Sequence, residues 1–130
     1  DVTSMKTGMF GYTGFVHYHC APCIDDYLST LDPKAPKGVL FETIAQHIDS
    51  EIHRNYRLYP NNYIALDELR GTDHSDKYTT ADKQTFDRYL AGQLQKIDLP
   101  NKDEAFLHER MLTMYANPAI NFAKANGLPE

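Results

Sequence analysis

The spacing of hydrophobic residues predicts a short extended segment followed by a series of helices. Between Phe15 and Cys20 the side chains alternate, so that Phe15, His17 and His19 fall on one face and the even-numbered residues on the other. This period of two predicts a β-strand. Because a single strand with an apolar face needs partners in a sheet, we expect it to pair with residues 5–14 or with chain upstream of this sequence.

The strongest helical pattern covers residues 39–58, where apolar side chains recur every three or four positions. Proline disfavours helical geometry in the residue before it, so Tyr59-Pro60 is expected to end this helix. The predicted buried stripe consists of Phe41, Ala45, Ile48, Ile52 and Tyr56, flanked by Leu40 and Ile44.

Shorter helices are predicted on either side of this one. We expect one near residues 24–31 and another over 61–69, where Gly71 provides a left-handed cap. After a polar loop, Thr79 and Asp82 have the spacing of a capping box and begin the next helix. The predicted apolar face of that helix consists of Phe86, Tyr89, Leu90, Leu94 and Ile97.

The carboxyl-terminal part of the chain shows the pattern of two more helices. Asn101 and Glu104 suggest a second capping box, and Asn117-Pro118 is expected to cap and start a last short helix that ends before Gly127. The apolar stripe predicted between them consists of Phe106, Leu107, Met111, Met114 and Tyr115.

These elements predict a mainly α protein with a short N-terminal β element, in the α+β class. We expect two regions, a strand and loop region over residues 1–37 and a single compact helical unit over 38–130. Hydrophobic residues make up 42% of the chain and charged residues 24%, which is typical of a globular domain. The chain does not begin with Met, so either something has been removed or it is a segment of a longer protein.

The charge and the cysteine content limit the kinds of partner that the protein is expected to bind and the compartment in which it is expected. With 13 basic against 18 acidic residues the net charge is −5, which argues against a general nucleic-acid binder. No apolar run is long enough to cross a bilayer. Two cysteines are too few for a disulfide scaffold and suit a reducing compartment, so a cytoplasmic location is expected.

Cys20 and Cys23 form a C-x-x-C pair directly after His17 and His19. Such a pair can act as a redox dithiol or, with two histidines, can ligate zinc. A redox site of the thioredoxin type is disfavoured, because the downstream helices do not fit that fold. A zinc site is disfavoured because four ligands so close together on a strand can hardly reach the tetrahedral positions around one ion. The leading interpretation is an ordinary strand with two buried, inert thiols and no cofactor, and a zinc or redox site at these four residues is the alternative.

Arg54 and Arg57 are three residues apart, so on a continuous helix they share a face and could grip a phosphate or a carboxylate. The alternative is a solvated basic turn near a helix carboxyl end.

Asp73, His74 and Asp76 lie in the polar loop, where such residues mostly cap helices and form turns. The sequence contains no convincing set of catalytic residues.

Two stretches of the sequence resemble the glycerolipid acyltransferase family. Residues 15–24 resemble its last core strand, which often ends in a Phe-Gly-x-Pro-Ile turn; this chain keeps Pro22 but departs at the Phe and Gly positions. Residues 48–65 look like the segment after that strand in some bacterial 1-acyl-glycerol-3-phosphate acyltransferase homologues, and residues 112–118 add weakly to the match.

The resemblance implies that this chain is the carboxyl part of a larger α/β fold, continuous with an upstream part of the same protein. That family transfers an acyl group from a thioester donor to a lysophospholipid hydroxyl at the membrane surface, using a His-x-x-x-x-Asp motif. None of the 6 histidines here has an aspartate five residues later, so no catalytic residue is carried over. Peripheral contact with the inner membrane is expected of the whole protein. A small non-enzymatic helical module that binds a protein partner is the other main alternative.

Overall fold

The computed structural model describes residues 2–11 and 14–129, and this part of the chain is mainly helical, as predicted. Within it there are six α-helices and no β-strand. The helices are α1 (Val2–Phe10), α2 (Asp25–Leu28), α3 (Lys37–Arg54), α4 (Pro60–Arg70), α5 (Thr80–Gln95) and α6 (Glu104–Asn126). A single 3₁₀ turn, Ser75–Lys77, lies between α4 and α5.

The core lies where α4 packs against α6, with α5 and α3 also contacting α6. Alanines on α6 keep the helix surface flat, which allows close packing against the larger side chains of α4 and α5. The buried core residues are Ile64, Ala65 and Leu66 of α4, Phe86 and Leu90 of α5, and Leu112, Ala116 and Ala119 of α6.

Three of the helix ends follow the local sequence signals closely. Thr79 accepts a hydrogen bond from the Asp82 N–H at 3.1 Å, while Asp82 accepts one from the Thr79 N–H at 2.8 Å, so the predicted capping box is confirmed. The helices α4 and α6 end at Gly71 and Gly127, whose φ angles of 67° and 63° are left-handed, as predicted. Pro60 is the first residue of α4, where its missing N–H costs no hydrogen bond.

The structure does not show the strand predicted over Phe15–Cys20. Residues 14–23 have no regular secondary structure, and their side chains are exposed. The proposed pairing partner, residues 5–14, is helical up to Phe10, and its residues 12–13 lie outside the described residues. Without a neighbouring strand the backbone of this segment has no ladder to join.

The prediction of a buried apolar stripe on α3 is wrong. Phe41 is 68% exposed and Ile52 is 49% exposed, whereas the flanking Leu40 and Ile44 are half-buried. The helix also ends at Arg54, four residues before the predicted end. Only α6 packs extensively against α3, so one narrow side of the helix is covered and the remaining apolar surface is left open.

The two helices predicted at the carboxyl end of the chain form one continuous helix, α6. Pro118 lies inside α6, which continues to Asn126, so Asn117-Pro118 does not start a new helix. Burial of Ala116 and Ala119 on either side holds the helix together across the proline. The amino-terminal cap is also two residues later than predicted, because Asp103 rather than Asn101 accepts a hydrogen bond, from the Phe106 N–H at 3.0 Å.

Burial on α6 is greatest at Leu112, Ala116, Ala119 and Ala123. Of the predicted stripe, Met111 and Tyr115 are half-buried and pack against the core, whereas Phe106 and Met114 are exposed. Larger side chains at the buried positions would hold α4 further away.

Among the described residues, no helix combines the length and the apolar character that a membrane span requires.

Candidate functional site

A shallow groove of about 380 Å³ lies between the segment 14–23 and the corner that joins α3 to α4. We call it the Arg57 groove. One wall is formed by Phe15, His17 and His19, and the other includes Asn55 and Arg57. The alternation seen in the sequence therefore holds for side-chain direction, since the odd-numbered residues face this groove although no sheet is formed.

The first wall is attached to the second by a ring contact. The Phe15 ring stacks on the Tyr59 ring, with centroids 6.2 Å apart and planes 10° from parallel. The Arg57 guanidinium lies 5.7 Å from the centroid of the same Tyr59 ring, a cation–π arrangement. Phe15 and Arg57 are thus both positioned by Tyr59, the residue before the first turn of α4.

The two arginines proposed as a phosphate grip do not share a helix face. Because α3 ends at Arg54, Arg57 lies in the connection to α4. Arg57 lines the groove, whereas the Arg54 side chain forms an ion pair with Glu51. The Arg54 carbonyl accepts a hydrogen bond from the Asn126 side chain at 3.3 Å, which ties the end of α3 to the end of α6.

The cysteine and histidine cluster is not assembled as a metal site. Cys20 and Cys23 are both exposed free thiols, so the prediction that they are buried is wrong. His17 and His19 line the Arg57 groove, and within the described ranges no group of three or more His, Cys, Asp or Glu side chains is arranged to hold a metal ion. An extended backbone sends neighbouring side chains to opposite sides, which separates the histidines from Cys20.

A second, larger groove of about 740 Å³ lies over the first turns of α4 and α5 and reaches α6. We call it the aromatic groove, because five rings line it: Phe15, Tyr59, Phe86, Tyr89 and Tyr115. The Tyr115 ring meets Phe86 edge to face with centroids 5.2 Å apart, and Tyr89 in the same way at 6.1 Å.

Polar contacts hold the walls of the aromatic groove together. Asn62 accepts a hydrogen bond from the Tyr59 N–H at 2.8 Å and donates one to the Tyr115 carbonyl at 2.9 Å, so the start of α4 is attached to α6. The Tyr115 hydroxyl donates to the Tyr89 hydroxyl at 2.9 Å. Burial, with this hydrogen bond, raises the pKa of Tyr115 to about 12, so its hydroxyl stays protonated at neutral pH.

The sequence analysis missed a cluster around Asp67. Its carboxylate accepts hydrogen bonds from the Thr72 hydroxyl at 2.8 Å, the His74 N–H at 2.8 Å and the Tyr78 hydroxyl at 2.9 Å. The His74 Nδ1 lies 2.6 Å from the same carboxylate. No short-range sequence rule links Asp67 to these positions, and the signal available was only a polar loop directly after α4.

Burial raises the pKa of the Asp67 carboxyl, but the hydrogen bonds from His74, Thr72 and Tyr78 outweigh it and lower the pKa below its usual 3.8. Nearby, Asp73 accepts a hydrogen bond from the Ser75 N–H at 3.1 Å, a local turn contact. The loop residues therefore fold the loop back onto α4, in agreement with the turn role expected for Asp73 and His74.

Comparison of the chain with protein-family models, with curated proteins and with solved structures found no match.

Proposed function

We propose that this chain is the carboxy-terminal part of an acyltransferase that acts on a lysophospholipid or glycerol-phosphate acceptor, and that it is not catalytic on its own. One observation carries the proposal. The two stretches that resemble the glycerolipid acyltransferases, residues 15–24 and 48–65, lie against each other and form the two walls of the Arg57 groove. A shared groove is what two segments of one substrate-binding region require.

The exposed apolar surface at the amino end supports the same proposal. Residues 2–24 contain no acidic side chain, and among those that the structure describes seven large hydrophobic residues are exposed. They are Val2, Met5, Met9, Phe10, Phe15, Val16 and Tyr18. Because a patch of this kind marks an interaction surface, we propose that an upstream α/β part covers it and that Phe15–Cys20 joins its sheet as a strand.

In this proposal Arg57 contacts the phosphate of the acceptor. A guanidinium can donate two parallel hydrogen bonds to one phosphate, and Tyr59 holds Arg57 beside the groove. The whole protein would take its acyl donor from solution and meet the lysophospholipid at the cytoplasmic face of the inner membrane. No cofactor is needed for this chemistry.

The first test measures the mass of the native polypeptide in its source cell, by immunoblot with an antibody against this chain. A mass well above 14.9 kDa supports the proposal, because the catalytic His-x-x-x-x-Asp would lie in the additional chain. A mass near 14.9 kDa overturns it.

The second test measures acyl transfer to lysophosphatidate by the full-length protein. Arg57→Ala should raise the KM for the acceptor by about 10-fold or more, the value of one charge-assisted hydrogen bond. Arg54→Ala is the matched control and should change the KM less, because Arg54 itself does not line the groove, although its ion-pair partner Glu51 does. Equal effects of the two substitutions, or no acyl transfer by the full-length protein, would remove the role of Arg57.

A non-enzymatic protein-interaction module is the second candidate, because α3 leaves Phe41, Ile48 and Ile52 uncovered. A native mass near 14.9 kDa would favour this module over the enzyme. A zinc or thiol-redox site at Cys20 and Cys23 has its own test: about one metal equivalent per chain, lost in Cys20→Ser, would support it, since structural zinc needs its thiolates.

A further inference from the structure

The aromatic groove has features that the proposed function does not use. Its rings come from α5, from α6, from Tyr59 directly before α4 and from Phe15 in the segment 14–23, so the fold brings them together from distant parts of the sequence. Tyr89 is 45% exposed and Phe15 lies at the groove surface, so these rings are accessible to a ligand. Tyr89 and Tyr115 meet edge to face. In such a pair, the ring that contributes its edge keeps its own faces uncovered by its partner.

The lining of the groove carries a negative charge, although the Arg57 guanidinium lies close by, 5.7 Å from the centroid of the Tyr59 ring. Among the described residues that line it, Asp82 is the only one with a charged side chain. Hydrogen bonds from the Thr79 hydroxyl at 2.7 Å and the Thr79 N–H at 2.8 Å lower the pKa of Asp82, so it is ionised at neutral pH. Both bonds use Oδ2, and no described residue donates a hydrogen bond to Oδ1, which leaves that oxygen to a ligand.

We propose that the aromatic groove binds an organic cation, of the alkylammonium or quaternary ammonium class. The negative π-faces of Tyr and Phe attract such a group, and Asp82 supplies the opposite charge; a quaternary ammonium is also weakly hydrated. An inorganic anion would be repelled by Asp82, and a neutral apolar ligand would gain nothing from it. The aromatic groove shares Phe15 and Tyr59 with the Arg57 groove, but its test follows binding at Asp82, Tyr89 and Tyr115, so its failure is distinguishable from failure of the acyltransferase proposal.

Two helix amino ends also open onto the groove, and their dipoles favour anions. Their influence here is reduced, because two donors of the first turns are already occupied and a third is missing. The Asn62 N–H bonds to the Tyr59 carbonyl at 2.9 Å, the Asp82 N–H bonds to the Thr79 hydroxyl, and Pro60 has no N–H. The full charge of Asp82 therefore determines which sign of ligand the groove prefers.

The test is a titration of the isotopically labelled chain with choline, followed by NMR chemical shifts. Choline should give saturable shifts at Asp82, Tyr89 and Tyr115. The neutral isostere 3,3-dimethylbutanol has the same shape without the charge, and it should bind several-fold to about 30-fold more weakly. Inorganic phosphate, the anionic probe, should produce no saturable shift at these residues.

Variants assign the binding to the rings and to the carboxylate. Tyr89→Leu removes a ring and should abolish saturation, while Tyr89→Phe keeps the ring and should retain binding. Asp82→Asn keeps a side-chain acceptor for the Thr79 N–H but removes the charge, so choline should lose its advantage over the neutral isostere. Tyr18→Leu is the matched control, because Tyr18 is 87% exposed and lies outside the groove.

The proposal is overturned if the neutral isostere binds as well as choline, or if phosphate saturates these residues. It is also overturned if choline gives no saturable shift at tens of millimolar, or if Tyr89→Leu binds like Tyr18→Leu. Circular dichroism of each variant verifies that the helices are retained, so a loss of binding is not a loss of fold.

Discussion

At the scale of single residues, Asp67 connects a loop to the helix it follows. Its side chain is only 9% exposed, and its carboxylate accepts hydrogen bonds from three residues of the following loop. The ring of Tyr63, one turn earlier on α4, lies 5.6 Å from the His74 ring and covers the same contact. Removing the charge of Asp67 would leave several partly buried donors without a strong acceptor.

We therefore expect Asp67→Asn to lower the free energy of unfolding at neutral pH by about 1–3 kcal/mol. Because the pKa of Asp67 is lowered in the folded state, folding releases protons, and the stability it contributes is complete above its usual 3.8 and lost as the pH falls below that value. Unfolding of the wild type should thus become easier in acid, and the variant should show a smaller further loss.

Urea denaturation of both proteins from about pH 7 to about pH 3 measures this difference. Asp76→Asn is the matched control, since Asp76 lies in the same loop with its side chain 68% exposed and pairs only with Lys77 among the ion pairs of the described residues. Its free energy of unfolding should change by no more than about 0.5 kcal/mol. Identical pH dependence in Asp67→Asn and wild type would contradict the prediction.

At the scale of elements, the close approach of α4 and α6 depends on small side chains. Ala116 is completely buried and Ala119 nearly so, and both lie on the face of α6 that belongs to the core. Their positions, three residues apart, place them on neighbouring turns of the same face. A core of this size has few other residues that could move to accept extra volume.

Ala116→Leu should lower the free energy of unfolding by about 1–3 kcal/mol, because the added atoms overpack the contact between α4 and α6. Ala105→Leu makes the same change at an exposed position of the same helix and should be nearly neutral. Thermal or urea unfolding of the two variants checks this. If the two substitutions had the same effect, the packing assigned to α6 would be wrong.

At the scale of the whole molecule, the described residues divide into a packed helical body and an open amino-terminal segment. The body is built from α3 to α6, whereas α1 contains no buried residue. A helix of this length is only marginally stable without packing. In the isolated chain, the amino-terminal segment therefore contributes little to the stability of the body.

Deleting residues 2–11 should change the free energy of unfolding by less than about 0.5 kcal/mol, because no buried surface is lost. Amides of α1 should also exchange with solvent much faster than those of α4 in the intact chain. Leu90→Ala is a positive control, since Leu90 is 1% exposed and its truncation should cost about 2–5 kcal/mol. A deletion as costly as Leu90→Ala would show that α1 packs on the body.

The features that the sequence predicted correctly depend on residues within about four positions of one another. The Thr79–Asp82 capping box and the glycine caps at Gly71 and Gly127 are examples, because a cap needs only its own first or last turn. The alternation at Phe15, His17 and His19 also holds, since side-chain direction in an extended segment is local. The division between residues 37 and 38 stays a prediction.

Tertiary packing alone decided which faces are covered. The apolar stripe of α3 is exposed because only α6 packs extensively against that helix, and α6 continues through Pro118 because Ala116 and Ala119 are buried beside it. The Asp67 cluster and both grooves join residues that are distant in sequence. A periodic pattern shows that a face is apolar, but whether another element covers it depends on contacts between distant residues.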